Sequence, residues 1–299
     1  MTSAPVRTYR FETVDVFTER RFGGNPLAVF PDAQGLSDAE MQALATEFNL
    51  SETTFVLPPD DPVHTARVRI FCPTHELPFA GHPNVGTGFV LAQAGRDRNG
   101  LLLFEELAGL VEVRVDRDSA GAVTGSTIAA PQALSLGTEL PAEAVASCAG
   151  LDPADVLLAV HRPMMASVGN PFVIAEVSGN ALTRAAPDAN AFRRVLAEHP
   201  ALEGHFALHL YSHDGPRLRA RMFAPLSGIT EDPATGSANT PLVALLSLTS
   251  RTEYSVDVIQ GVEMGRPSLL HVTARRGPDG IRATVGGQCV PVLKGEATV

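Results

Sequence analysis

No stretch of the 299-residue chain approaches the ~18 consecutive apolar residues of a membrane-spanning helix, so nothing in it is expected to cross a bilayer. The opening Met1-Thr2-Ser3-Ala4-Pro5-Val6-Arg7 lacks a signal-peptide apolar core. Cysteine is scarce. Cys72, Cys148 and Cys289 are odd in number, scattered, and without a Cys-x-x-Cys pair, which excludes a disulfide framework and a zinc ribbon and points to a reduced cytoplasmic protein. Basic charge is also short. A formal net charge of −10 has the wrong sign for a nucleic-acid or anionic-membrane partner. Common site signatures are missing too. Gly81 to Gly86 has P-loop spacing, but Thr87-Gly88 stands where Lys-Ser/Thr is required. No Gly-x-Gly-x-x-Gly follows a strand, no His-Glu-x-x-His or Gly-x-Ser-x-Gly occurs, and Thr74-His75-Glu76 is not a metal motif.

What is present suffices for a packed fold. Apolar residues make up 44% and charged residues 19%, which rules out global disorder. The length suits two domains at roughly 150 residues each. With 26 Gly and 23 Pro, turns are frequent and many short strands are expected.

The chain contains its own repeat. Gly24-Asn25-Pro26-Leu27-Ala28-Val29 answers Gly169-Asn170-Pro171-Phe172-Val173-Ile174. Arg69-Ile70-Phe71-Cys72-Pro73 answers Arg221-Met222-Phe223-Ala224-Pro225, and Val111 to Val115 answers Leu270 to Ala274. Matches in this order, with slowly growing separation, indicate two copies of one unit and not a solenoid. A further match pairs His82-Pro83-x-x-Gly86-Thr87 with Asp232-Pro233-x-x-Gly236-Ser237. Within the first copy, strands are expected over Tyr9–Phe17, Thr54–Leu57 and Thr65–Phe71. A helix is expected over Ser37–Phe48, with Ser37 and Glu40 as a capping box and Met41, Leu44, Ala45 and Phe48 as its apolar face. Further helices are expected over Pro83–Ala94 and Pro233–Leu246, each with Pro at its first position. Hairpins are expected at Asp118–Gly121 and Gly277–Gly280, and the domain boundary near Gly125–Thr138.

The two helix openings are the chemical signal. Gly81-His82-Pro83 and Asp232 to Ser237 place glycine, hydroxyl and exposed backbone N–H groups where helices begin, and such starts bind anions. Ordinary capping by Asp232 and Ser237 is the competing reading. The same pattern in both copies, with different polar residues, favours a site that grips a carboxylate.

Five segments then carry a resemblance: Gly-Asn-Pro-Leu-Ala-Val-Phe (24–30), Glu-Phe-Asn-Leu-Ser-Glu-Thr-Thr-Phe-Val (47–56), Glu-Leu-Pro-Phe-Ala-Gly-His-Pro (76–83), Glu-Asp-Pro-Ala-Thr-Gly-Ser-Ala (231–238) and Gln-Gly-x-x-Met-Gly-Arg-Pro-Ser (260–268). From about Tyr9 to Gly295 the chain resembles the PhzF family of phenazine-biosynthesis isomerases. The resemblance implies an α+β fold of two pseudo-symmetric diaminopimelate-epimerase-like domains, each a curled mixed sheet around a central helix. The expected division is residues 1–128 with 287–299, and 129–286, with a final strand around Gln288–Lys294 returning to the first domain and the active site between the two. It implies Glu52 as the proton-transfer residue, His82 and Asp232 as its partners, and Gly81, Gly236 and Ser237 lining a pocket for a small anionic substrate. It implies a homodimer with neither metal nor organic cofactor. In the family's namesake the substrate is trans-2,3-dihydro-3-hydroxyanthranilate, a substrate that family membership alone does not fix.

The resemblance thus implies that Glu52 takes a proton from a carbon conjugated to a carboxylate or carbonyl and returns it elsewhere on the same face. Such a residue needs a pKa raised toward neutrality, as burial near Asp232 is expected to provide. Without the resemblance, Glu52 reads as a capping or turn residue among Ser51, Thr53 and Thr54. Two other readings stand beside the isomerase: a catalytically idle ligand-binding or interaction protein on the same fold, and an amino-acid epimerase. The epimerase fits poorly, because His82 and Asp232 stand where two-thiol epimerases carry cysteines. Glu203 precedes Phe206 as Glu52 precedes Phe55, but reads as a surface glutamate beside Gly204. Asn25 and Asn170 read as structural, and Arg266 is open to two readings, a contact for an anionic substrate or the brace of a turn.

Overall fold

The computed structural model describes residues 6–204, 206–249 and 253–299; residues 1–5, part of the leader reading above, lie outside them. The chain divides into two compact units, one of the residues up to Ala129 with Gly286–Val299, the other Ala130–Val285. Among the described residues no helix is long and apolar enough to cross a membrane.

The first unit runs β1 (Thr8–Val16), β2 (Asn25–Phe30), α1 (Asp38–Phe48), β3 (Glu52–Leu57), β4 (Ala66–Phe71), β5 (Glu76–Leu77), α2 (Gly81–Gln93), β6 (Leu101–Glu106), β7 (Gly109–Arg117) and β8 (Val123–Ala129). Its sheet is mixed: β2 runs parallel to β3 and β4 to β6, while β1–β2, β3–β4, β6–β7 and β7–β8 are antiparallel. Helix α2 is buried from Gly81 to Ala92, as a helix enclosed by its own sheet must be. Small residues let the strands close in. A Cβ on Gly86 would stand 2.6 Å from Leu27 Cδ2, and one on Gly88 2.6 Å from Val113 Cγ1. The capping box of α1 forms: the Ser37 hydroxyl accepts from the Glu40 N–H, and the Ser37 N–H donates to Glu40 Oε2 at 2.7 Å. Met41, Leu44 and Ala45 of α1 are buried beside Phe30 and Phe55. Those two rings stack with centroids 4.9 Å apart, and Phe48 and Phe71 meet the cluster edge-on; each such pair contributes ~0.5–1.5 kcal/mol beyond its burial.

The second unit runs β9 (Ser135–Glu139), α3 (Ala142–Ala149), β10 (Val156–Leu157), β11 (Met164–Ser167), β12 (Pro171–Val177), α4 (Gly179–Arg184), α5 (Ala189–Glu198), β13 (Leu208–Asp214), β14 (Arg217–Ala224), β15 (Ile229–Asp232), α6 (Gly236–Leu246), β16 (Tyr254–Gln260) and β17 (Ser268–Gly277). Again the sheet is mixed, with β12–β13 and β14–β16 parallel, and again the central helix, α6, is buried nearly throughout. The last strand, β18 (Gly280–Thr298), begins in this unit and ends in the first. There it pairs antiparallel with β1 from Val16↔Cys289 to Thr8↔Thr298. Both expected hairpins form, joining β7 to β8 and β17 to β18.

Two boundaries move. Helix α2 begins at Gly81, so Pro83 is its third residue. Helix α6 begins at Gly236, so Pro233 lies outside it. The true repeat register is therefore Gly81 with Gly236 and His82 with Ser237, not His82 with Asp232. The sheets agree. Leu27 faces Glu52 across the parallel β2–β3 pair, and Phe172, the repeat partner of Leu27, lies one residue before the Val173↔Leu208 pair. Glu52 thus corresponds to Ala207, which removes Glu203 as its counterpart; Glu203 closes a short 3₁₀ turn at φ 50°. The Pro-x-x-Gly match does not follow this register.

The correct register exposes a shared brace. Arg69 makes a two-pronged pair with Glu76, through Nε at 2.7 Å and Nη2 at 2.6 Å. Arg221 does the same with Glu231, at 2.7 and 2.8 Å. Each guanidinium also lies over a phenylalanine two residues on, Phe71 or Phe223. Glu76 and Glu231 each stand five residues before a helix start, so each fork anchors the strand that leads into α2 or α6.

Candidate active site

Glu52 opens β3, and His82 is the second residue of α2. Glu52 Oε2 lies 3.4 Å from His82 Nδ1, with the two side chains only 14% and 6% exposed. The same nitrogen faces the Asn25 amide at 3.4 Å, and the Ser51 hydroxyl donates to Asn25 Oδ1 at 3.2 Å. Asn25, read from the sequence as structural, therefore also steadies the imidazole, whereas its repeat counterpart Asn170 is exposed. Burial pushes the His82 pKa down to about 3, opposed only in part by the Pro26 carbonyl. The ring is thus neutral at physiological pH. Its Nε2 is buried with no hydrogen-bond partner among the described residues. Glu52 is the first residue of its strand, and the Ser51 hydroxyl beside it is engaged by Asn25.

The start of α2 is open in the chemical sense. Its cap residue, Ala80, offers no side-chain hydrogen bond, and no acidic residue stands in the first turn. The first N–H groups of a helix have no partner within the helix and suit an anion. Helix α6 is alike: Thr235 makes no side-chain cap bond and the first turn holds no acid. Neither helix is capped by the side chain of its own N-cap residue. Gly236 and Ser237 are the first two residues of α6, and Asp232 ends β15 three residues before its cap. The Thr235 hydroxyl donates to Asp232 Oδ2 at 2.5 Å. Glu52, His82 and Gly81 thus gather within the first unit, and Asp232, Gly236 and Ser237 within the second.

The sequence motif at 260–268 lies beneath Asp232. Gln260 donates to the Asp232 carbonyl and to Thr235 Oγ1, both at 2.9 Å, and accepts from the Thr235 N–H at 3.1 Å. The Ser268 hydroxyl donates to the Pro233 carbonyl at 2.9 Å. Gly261, at φ +77°, allows the chain to pass: a Cβ there would stand 2.5 Å from both the Arg266 and Pro233 carbonyl oxygens. The Arg266 N–H closes this turn onto the Gly261 carbonyl at 3.0 Å. The Gln260-Gly261…Arg266-Pro267-Ser268 segment was visible as a motif. Its task, holding Asp232 to Thr235, needed the fold.

Known proteins place the chain in a family. The PhzC-PhzF family model, described as phenazine biosynthesis-like protein, matches residues 14–295. The chain is 36% identical over 295 residues to the trans-2,3-dihydro-3-hydroxyanthranilate isomerase of Pseudomonas aeruginosa, a match covering 97% of this chain and 99% of that one. Among solved structures it is similar to a Bacillus anthracis phenazine biosynthesis protein of the PhzF family, with a TM-score of 0.86 and 26% identity over 98% of this chain and 100% of that one. A probable proline racemase from Agrobacterium radiobacter, 14% identical with a TM-score of 0.64 over 97% and 92% of the two chains, shares the fold alone. With both central helices, α2 and α6, and the segment beneath Asp232 inside the matched region, the chain belongs to the PhzC-PhzF family of phenazine biosynthesis-like proteins.

Proposed function

We propose that this protein isomerises a small cyclic amino or hydroxy carboxylic acid resembling trans-2,3-dihydro-3-hydroxyanthranilate, with Glu52 moving the proton. The chain is an enzyme, an isomerase like its curated relatives. The observation that carries the role of Glu52 is its buried approach to His82 at 3.4 Å, beside a helix start without a side-chain cap. Glu52 accepts a proton from the substrate carbon as the C–H bond breaks. The electron pair moves into the conjugated system toward the carboxylate or carbonyl. Glu52 then returns the same proton to another carbon on the same face, so the overall change is a double-bond shift. A positioned acid/base of this kind contributes ~10²–10⁴-fold.

The neutral His82 orients Glu52 and hydrogen-bonds a polar group of the substrate. The N–H groups at Gly81 and Gly236 take its carboxylate and the charge that develops in the transition state. Asp232 and Ser237 complete the assignment from the second unit. The same reading takes the protein as a cytoplasmic homodimer that works without a cofactor.

The test is an ultraviolet time course with trans-2,3-dihydro-3-hydroxyanthranilate, on wild type and Glu52→Gln. Loss of the conjugated band with wild type, slowed ~10²-fold or more by the substitution, is expected. Equal rates would remove Glu52 from its role. An inert wild type that also exchanges no deuterium from D₂O into a panel of small cyclic acids would favour the idle ligand-binding reading. Loss of optical activity from a single enantiomer would favour the epimerase.

A further inference from the structure

Behind Asp232 lies a chain of four buried side chains whose hydrogen bonds have only one consistent direction. Two backbone groups set it. The Thr235 N–H donates to Gln260 Oε1 at 3.1 Å, and the Asp232 carbonyl accepts from Gln260 Nε2 at 2.9 Å. The Gln260 amide therefore cannot be turned over. Its Oε1 accepts from Asn239 Nδ2 at 2.8 Å, and that nitrogen also donates to the Thr235 carbonyl at 3.0 Å. Asn239 Oδ1 must then face His209, whose Nε2 lies 3.0 Å away and carries the proton. At the other end, Gln260 Nε2 donates to Thr235 Oγ1 at 2.9 Å, which sends the hydroxyl hydrogen to Asp232 Oδ2. The order is His209 to Asn239, Asn239 to Gln260, Gln260 to Thr235, and Thr235 to Asp232.

The geometry points to His209, Asn239 and Gln260 as positioning residues that fix the orientation of the Asp232 carboxylate. This rests on the reading of Asp232 as a site residue. None of the three is reached by solvent to any extent, so none is a contact for substrate. His209 lies on β13, Asn239 on the first turns of α6 and Gln260 at the end of β16, so three separate elements converge on one carboxylate. Burial pushes the His209 pKa down to about 4, in keeping with a neutral ring bearing a single N–H.

A fold requirement alone does not account for the chain, because the first unit has no copy of it. There Asn84 occupies the helix position of Asn239 and also donates to its cap carbonyl, Ala80, at 3.0 Å. Ala80 has no hydroxyl to pass the contact on. The position corresponding to His209 is Thr54, which bonds to Thr87 at 2.8 Å instead. The unit that carries Asp232 is the one that carries the relay.

Gln260→Glu and His209→Phe test this in the full chain, with His209→Gln as the conservative variant. Gln260→Glu keeps the shape but loses both donors, toward the Asp232 carbonyl and Thr235 Oγ1. Misplacing a site group by 1 Å costs ~10²-fold. A fall in kcat of that order with KM changed less than about twofold is expected for Gln260→Glu and His209→Phe. His209→Gln, which can still donate to Asn239, recovers most of the rate. A merely structural role would lower thermal stability in step with side-chain size and leave this split absent. The second readout needs no substrate: the ¹³C resonance of the Asp232 carboxyl shifts in Gln260→Glu and His209→Phe and returns toward wild type in His209→Gln. If His209→Phe fails to fold, Gln260→Glu carries both measurements. An unmoved Asp232 resonance in Gln260→Glu overturns the positioning role. An inert wild type with a shifted resonance overturns the proposed substrate and leaves the positioning role standing.

Discussion

At Glu106 burial acts on a residue that the proposed chemistry does not use. Both carboxyl oxygens are enclosed without a hydrogen bond of good geometry among the described residues. Burial drives the pKa from an ordinary 4.5 to about 8, which the neighbouring Asn84 amide offsets only in part. Between these values the folded chain holds a proton that the unfolded chain has lost. The contribution of this group to stability is complete below about pH 4.5 and is lost as pH rises through about 8. Glu106→Gln, neutral at every pH, removes that slope. Thermal melts from pH 5 to 9 are expected to show the wild-type Tm falling relative to that of the variant, and parallel curves would refute the assignment. His82 and His209 act in the opposite sense. Their pKa values are depressed by burial to about 3 and about 4, so their contribution is present above the ordinary 6.5 and lost as pH falls below it. At this scale the candidate site was legible only through spelling. Glu52, His82 and Asp232 stand in segments with family-specific spelling. Glu106, Asn239 and His209 carry no local pattern, because their importance comes from partners 21 to 30 positions or more away.

Among the elements, the two arginine forks matter most. Arg221 is buried, paired in-plane with Glu231, and its Nη1 also donates to the carbonyls of Leu182 and Ala185 at 2.9 and 2.7 Å. Removing one partner of such a pair leaves a buried charge uncompensated, at a cost of ~3–5 kcal/mol. Arg221→Met is expected to lower the stability of the second unit by that order in urea denaturation. Adding Glu231→Gln should restore part of it, and a double variant no more stable than the single one would count against the charge argument. The repeat of Arg69 as Arg221 was visible in the sequence, but the glutamate partners were not. The helix registers were misread for a related reason. Pro-x-x-Gly occurs near both starts, yet Pro83 is inside α2 while Pro233 precedes α6. Pro83 is tolerated because first-turn N–H groups lack helical partners anyway, and Pro233 because it stands before the helix and its cap.

The whole molecule is held to its topology by the last strand. β18 leaves the second unit and supplies β1 with a neighbour along its full length. The Thr18 N–H donates to the Gln288 carbonyl at 3.0 Å, and Gly125 passes so close that a Cβ there would stand 2.1 Å from the Gly287 carbonyl oxygen. The first unit is thus made of residues that are nearly the whole chain length apart, and its closure carries the entropy cost of that long loop. Ending the chain after Val285 should expose the β1 amides that face β18 to rapid hydrogen exchange and abolish activity. Retention of their protection would show that β1 does not depend on its distant partner.

The sequence by itself determined the duplication, the α1 capping box, the hairpins, the family and the segments from which the site is built. These depend on local spacing, which survives in one dimension. Only the tertiary structure decided the repeat register, the neutral His82 beside Asn25, and the directed chain that ends on Asp232. Each of those depends on burial and on which strand lies beside which helix, and the low dielectric that shifts a pKa or fixes an amide exists only once the sheet has closed around its helix.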